Sequence, residues 1–599
     1  VARFLRFLLV LGLTLGVILP HSLVGSANEG LPPIMRLSEI KPGMRGIGRT
    51  TVKGQTIEEF QFEVIGLLQG GGGVIAVKQL ILFRVFGPLA ERIGGTAAGM
   101  SGSPMFINGK LIGAHSASYR FQTRKDLGLA TPIEEMLPLL DQAAAPPWPT
   151  AYRPTAPLLI DGQPVQQVVV ARSPEGARRL TALGPGTLVF TAANTMNRVS
   201  GLSPRAFGIL ERVLGRVSSR PLVQYGGSQS AVPTATIRGG HPVGILLVRG
   251  DVEFGGICTV TLRVGNKLLI CGHPWDNLGG VAYALTSAEI LTVVQTLATP
   301  FLEGNLGGLV GQIDQDRGAG IRGVLGRMPR MFAVRVTVAD ADTGKRVTKT
   351  MQVVRRADLV GLFTPLFALT AVDRARDQVS GGGTARVKIT LRAGGLPEVI
   401  VRENIFYSSL DLTLASILDI STAMQFLFSN PIVELDPSDI AIEMTVSRKR
   451  ETAAITNVVA ETREVTPGES IRVRITVRPF QEEAVLSRVI EIPVPRNFPR
   501  GPAVLIVGSG GIDTTGAQLD ELFLRNLLAE PPPFPGDTLE EAVEIFETLG
   551  RNDQVLLQLV PFGLPATGAE FLKFDVFAGI LIQTDWVIQG EFRIPILVK

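Results

Sequence analysis

The sequence predicts a mainly β protein with short helical segments. Glycine (67) and proline (40) are abundant among the 599 residues. Val, Ile and Thr fill the stretches between them, which favours many short strands and turns over long helices. From Ile471 to Val477 apolar residues alternate with Arg472, Arg474 and Thr476, the period of a strand with one buried and one wet face. Asn108-Gly109 joins Met105-Phe106-Ile107 to Lys110-Leu111-Ile112, a strong short-hairpin signal. With 45% hydrophobic and 19% charged residues, global disorder is excluded. The length allows about four domains.

Taken in order, residues 1–27 read as a secretory signal. Arg3 and Arg6 precede the apolar run Phe7–Leu19, and Gly25-Ser26-Ala27 supplies small residues for cleavage. The run is short for a membrane anchor, the other reading. Removing it leaves 56 basic against 54 acidic side chains, a formal +2 in place of +4. The expectation is an exported chain, in the periplasm, cell envelope or extracellular space. Its near-neutral balance, with arginine spread along the chain, gives no electrostatic footprint for nucleic acid.

Residues 33–142 form a first β unit. It holds the partly alternating Ile57–Ile65, the apolar Ile81–Phe86, the hairpin at Asn108-Gly109 and a closing helix near Pro132–Leu137. Residues 143–235 read as a proline-rich linker and a mixed insert, with Ser203-Pro204 starting a helix. Residues 236–395 form a second β unit. Residues 396–440 are a helical connector, with helix read over 405–430 from the spacing of apolar residues between Leu410 and Phe428. Residues 441–530 are read as an immunoglobulin-like β-sandwich, suited to an envelope-protein partner. Residues 531–599 hold a helix capped by Asp537 or Thr538, then strands. No internal repeat stands out.

The two cysteines, Cys258 and Cys271, flank two short strands around Val264-Gly265-Asn266-Lys267. A hairpin there sets them nearly opposite. Either they pair, as an oxidising compartment allows, or they are two small buried hydrophobes, because a one-residue register shift separates them by face. Two cysteines exclude a disulfide-rich scaffold and a four-cysteine zinc site. There is no HExxH motif. Asp340–Lys345 lacks the frame of a phosphate loop, Asp314 and Asp316 have no calcium-loop register, and Arg448-Lys449-Arg450 reads as a solvated strand end. No metal or cofactor is expected.

The chemistry lies in Gly94-Gly95-Thr96-Ala97-Ala98-Gly99-Met100-Ser101-Gly102-Ser103-Pro104. Glycines on both sides let the backbone turn sharply and leave the Ser101 hydroxyl clear. The N–H groups of Gly99 and Ser101 sit two residues apart in one loop, as an oxyanion hole requires. Read alone, the stretch is also compatible with an ordinary Gly/Ser turn. It resembles the GDSGGP loop of chymotrypsin-like serine proteases. Over residues 54–137 the chain is similar to the stage IV sporulation protein B (SpoIVB) serine peptidase family, on GQTIEEF, ILFRVFGPLAERIGGTAAGMSGSPMFINGKLIGA and IEEML. The resemblance implies a chymotrypsin-like double β-barrel core, a protein or peptide substrate and Ser101 as nucleophile.

Gly272-His273-Pro274 resembles the family's histidine context, which implies His273 as general base. Val248-Arg249-Gly250-Asp251 before it and Gly311–Gly323 after it add to the likeness. The serine half here precedes the histidine half, the reverse of the family order and what a circular permutation produces. Triads recur in several chain orders. The family's acidic member falls on Phe86, which cannot orient an imidazole. Asp276 and Asp251 are therefore the candidate acidic partners, with Asp126 a further one. The family's PDZ-like segment is not recognisable. His21 lies in the leader, His115 reads as a structural strand-end residue and His241 as a surface turn residue. Two functions stand: a SpoIVB-type serine endopeptidase, or a catalytically inactive envelope scaffold on the same fold.

Overall fold

In a computed structural model of the chain, the described residues are 30–599 without 72–74, 76, 120–125, 142–150, 161, 172–185, 193–195, 218–219, 221, 226–232, 297–299, 379–380, 430, 434, 512–518, 520, 522, 525–533, 535 and 563–577. The expected leader, residues 1–27, lies outside them. The protein is mainly β, as its glycine, proline and β-branched content predicts. Among the described residues no helix is long and apolar enough to cross a membrane.

The first sheet contains β1 (Arg45–Lys53), β2 (Thr56–Gly71), β3 (Gln79–Phe86), β4 (Pro104–Ile107), β5 (Lys110–Tyr119) and β6 (Leu127–Pro132). Their antiparallel pairings run β1–β4–β5–β6–β3–β2 and return to β1, closing a ring of six strands. The β4–β5 turn has the expected chemistry: Asn108 and Gly109 both take positive φ, 49° and 74°, as the tight two-residue hairpin demands. β7 (Ala151–Pro154), β10 (Gln167–Ala171) and β11 (Thr187–Ala192) extend the sheet from β2 to β5, while β8 (Leu159–Ile160) and β9 (Gln163–Pro164) pair alone. Part of the expected insert therefore belongs to the sheet of the serine half.

The second sheet repeats the closure. It contains β14 (Pro242–Gly250), β15 (Glu253–Val264), β16 (Lys267–Ile270), β17 (Gly279–Val294), β18 (Phe301–Arg317) and β19 (Gly320–Leu325). Antiparallel pairings run β14–β15–β16–β19–β18–β17 and back to β14. β12 (Asn197–Ser200) and β13 (Leu222–Gln224) extend it on one side. β20 (Met331–Asp340), β21 (Arg346–Val354), β22 (Gly383–Gly394), β23 (Ile400–Ser408) and β24 (Asp436–Ser447) extend it on the other. A shared core joins the two rings: Phe60, Phe62, Phe83 and Met105 of the first pack with Leu246, Ile257, Ala288 and Leu306 of the second.

Helices cover the second sheet. α3 (Pro204–Val217) begins where Ser203-Pro204 predicts, and Ser203 Oγ accepts the Ala206 amide at 3.3 Å; α1 (Pro88–Ile93) and α2 (Ile133–Met136) belong to the first unit. α4 (Ala357–Arg376) is buried along most of its length. The helix read over 405–430 is two helices, α5 (Leu412–Ser416) and α6 (Leu418–Phe428), because residues 400–408 are taken by β23. Near the C-terminus, Thr538 is the cap of α7 (Leu539–Thr548), its hydroxyl accepting the Glu541 amide at 3.2 Å.

The remaining strands make two sheets around one core. One is β28 (Leu486–Pro493), β27 (Ser470–Pro479), β25 (Thr452–Ala460) and β32 (Val587–Gln589). The other is β26 (Glu464–Val465), β33 (Phe592–Val598), β29 (Gly501–Ser509), β30 (Gln554–Pro561) and β31 (Ala578–Gln583). Ile471, Val473 and Ile475 point into that core while Arg472 and Arg474 stay exposed, which is the alternation seen in the sequence. Strands from 554 onward return to this unit.

Candidate functional site

Ser101 sits in the loop between α1 and β4 of the first ring. α1 ends in left-handed Gly94, φ 77°. Two further left-handed glycines, Gly99 (φ 97°) and Gly102 (φ 96°), shape the turn around the serine. Gly102 has no room for a side chain: a Cβ there would stand 1.9 Å from the Thr259 carbonyl oxygen of β15. The backbone thus docks directly onto the second ring. Thr259 donates its amide to the Ser101 carbonyl at 2.8 Å and its hydroxyl to the Gly99 carbonyl at 3.0 Å. Thr261 donates its hydroxyl to the Gly102 carbonyl at 2.7 Å.

Within the loop, Met100 and Gly102 donate their amides to Ala97 and His115 carbonyls. The amides of Gly99 and Ser101 donate to no described residue, although both residues are buried. They are the two amides that the spacing singles out.

His273 follows β16 of the second ring. Its loop crosses to the first: Thr131 of β6 donates its hydroxyl to the Gly272 carbonyl at 2.6 Å, and a Cβ on Gly272 would stand 3.1 Å from Ala114 Cβ. His273 is buried, with Nδ1 2.8 Å from the Pro274 carbonyl oxygen. A carbonyl only accepts, so Nδ1 carries the proton and Nε2 is the ring's proton acceptor. The loops carrying Ser101 and His273, 172 positions apart in the chain, therefore meet where the two rings join.

The cysteines form a disulfide, Cα–Cα 5.2 Å. A bulge between Val260 and Leu262 shifts the β15–β16 register by one residue, and Cys271 has left the strand with φ 70°, so strict face alternation no longer separates the pair. Cys258 Sγ lies 3.7 Å from Ser101 Oγ. Cys271 is two residues from His273. The disulfide therefore lies between the serine and the histidine loop.

The acidic candidates are engaged elsewhere. Asp276 pairs with Arg220 at 3.1 Å and with Arg356. Asp251 pairs with Lys349 at 2.7 Å and accepts the Thr350 amide. Asp126 pairs with Arg84 at 3.2 Å. Phe86 ends β3 with its ring under the Arg45 guanidinium. The carboxylate that serves the histidine loop is Asp316 of β18, which sequence reading passed over. It accepts the amides of Trp275, Asp276 and Asn277 at 2.7, 2.8 and 2.9 Å, fixing the turn after His273. Its only sequence signal was its place in the Gly311–Gly323 stretch.

His115 on β5 is fully buried, its ring edge-on to Phe83 at 5.7 Å. Nε2 lies 3.2 Å from Ser118 Oγ, which accepts the Thr96 hydroxyl at 2.8 Å. Burial holds its pKa down to about 4, despite backbone groups of Met100 and Ala117, and electrostatic repulsion toward nearby His273 lowers it further. His241 is buried, not on the surface, because its Nδ1 accepts the Arg238 amide at 3.2 Å inside the turn. Among the described residues no group of His, Cys, Asp and Glu is placed to hold a metal ion.

Comparison with curated proteins and with solved structures finds no match. Residues 19–137, which carry Phe86, Ser101 and His115, match the family SpoIVB peptidase S55.

Proposed function

We propose that the chain is an exported SpoIVB-type serine endopeptidase, its two six-stranded rings acting as the paired barrels of a chymotrypsin-like core in permuted order. Ser101 Oγ attacks the scissile carbonyl and its proton passes to His273 Nε2. The C–O bond forms as the carbonyl electrons move onto oxygen, which the Gly99 and Ser101 amides receive. Collapse breaks the C–N bond, and His273 returns the proton to the leaving amine. Water then attacks the acyl-enzyme by the same route. The Pro274 carbonyl orients the ring, because it holds the Nδ1–H tautomer.

The observation that carries this reading is the pair of buried amides at Gly99 and Ser101, unpaired among the described residues, in a loop pressed against the histidine loop. Export is supported by the leader-like residues 1–27 and by the Cys258–Cys271 disulfide. A second reading, an inactive envelope scaffold that binds partners through its C-terminal β unit, is favoured by the complete burial of Ser101.

A fluorophosphonate probe separates the two. Wild type should be labelled, Ser101→Ala should not, and His273→Ala should be labelled about 10²–10⁴-fold more slowly. Equal labelling of all three, or of none, leaves only the scaffold.

A further inference from the structure

Ser101 is closed off from solvent, and the cover has a specific form. Ala98, one residue before Gly99, donates its amide to the Pro300 carbonyl at 2.8 Å and accepts the Leu302 amide at 2.9 Å. The start of β18 thus lies along the serine loop as a short parallel ladder. Leu302 is 1% exposed. A Cβ on Gly99 would stand 3.2 Å from both Cβ and Cδ1 of Leu302, so the leucine side chain packs against the backbone of the serine loop at Gly99. It lies in an apolar setting with Ala97, Met100 and Ile257. Behind it, the buried Arg198 of β12 clamps the strand, bonding the Leu302 carbonyl, the Gly304 carbonyl at 3.0 Å and Glu303 at 3.1 Å.

An extended peptide bound by β-addition makes these same contacts: main-chain bonds to an exposed edge, with a side chain in an adjoining pocket. We propose that Phe301–Leu302 is an internal occupant of the substrate position. It holds the site closed, and an extended peptide enters by displacing it from Ala98, with a Leu-like aliphatic side chain in the place of Leu302. The proposal rests on the serine-peptidase reading and adds its substrate class and its restraint.

The test uses the full chain and a fluorophosphonate probe, with Ser101→Ala subtracted. Leu302→Ala should be labelled at least about tenfold faster than wild type, which corresponds to about 1.4 kcal/mol less cost of opening, and Leu302→Val should fall between. The hexapeptide PFLEGN, matching residues 300–305, should slow labelling of Leu302→Ala, and PFDEGN should not. A cooperatively folded Leu302→Ala labelled no faster than wild type overturns the internal-occupant proposal and leaves the peptidase reading intact. If Leu302→Ala does not melt cooperatively, Leu302→Val decides by the same criterion. Absence of Ser101-dependent labelling in every variant overturns the peptidase reading and this proposal with it.

Discussion

His115 shows how one buried side chain sets a pH dependence. Its ordinary pKa is 6.5 and burial lowers it to about 4 in the folded protein. As pH falls below 6.5, the unfolded chain binds a proton that the folded chain refuses until about 4. Stability should therefore drop across that window by up to about 3 kcal/mol and level off below it. Replacing His115 by Gln removes the titration. Urea denaturation across the window should show wild type losing more stability than His115→Gln; parallel curves would refute the assignment. Gly102 sits at the same scale. Its φ of 96° and the Thr259 carbonyl 1.9 Å from any Cβ leave no place for alanine, so Gly102→Ala should lift the serine loop off β15 and cost about 3 kcal/mol or more. Its measured effect on the denaturation midpoint checks this directly. The turn around Ser101 was legible because glycine marks it: Gly99 and Gly102 take the positive φ that a sharp turn needs. Asp316 was not, because its partners are backbone amides some 40 positions away, and a backbone acceptor leaves no side-chain pattern to read.

At the scale of elements, short-range signals translated directly and long-range pairing did not. Asn108-Gly109 gives its hairpin because both residues tolerate positive φ. Alternation from Ile471 to Ile475 gives a strand because one face must be buried. The β15–β16 hairpin was visible too, but not the Val260/Leu262 bulge or the positive φ that takes Cys271 out of the strand, and both bear on the pairing of the cysteines. Nothing local says that β11 joins β5 or that β10 runs parallel to it. The disulfide closes a short segment, with a sequence separation of 13. On the chain-entropy account, a loop of this size stabilises by about 3 kcal/mol. The double variant Cys258→Ser/Cys271→Ser should lose about that much in chemical denaturation. It should also label more slowly at Ser101 under conditions where it stays folded, because Cys271 leads into the His273 loop. A variant that is weaker but labels at the wild-type rate would assign the link to stability alone.

At the scale of the whole molecule, the boundaries drawn from composition cut through one continuous core. The largest apolar cluster runs from Val199 to Phe546. Phe426 of α6 stacks on Phe546 of α7 at 4.9 Å and meets Phe534 edge-on at 5.2 Å, so the region after the C-terminal prolines packs back onto the second sheet. Arg402 of β23 makes that junction polar and specific. Its side chain is 4% exposed and pairs with Asp419 of α6 at 2.9 Å, while another nitrogen donates to the Leu549 carbonyl beyond α7 at 2.9 Å. One guanidinium thus ties a strand, a helix and the end of a distant helix. Arg402→Met removes the cation but leaves the Asp419 carboxylate in the core without its arginine, its remaining side-chain hydrogen bond among the described residues being to Asn404 at 2.9 Å. Breaking a buried pair from one side costs about 3–5 kcal/mol. Adding Asp419→Leu removes the stranded charge, so the double variant should recover part of the loss even though it lacks both partners. Denaturant titration of the two variants against wild type measures this. A single variant within about 0.5 kcal/mol of wild type would mean that the aromatic stack alone holds the junction, and a double variant weaker than the single would mean that Asp419 owes its place to Asn404 rather than to the arginine.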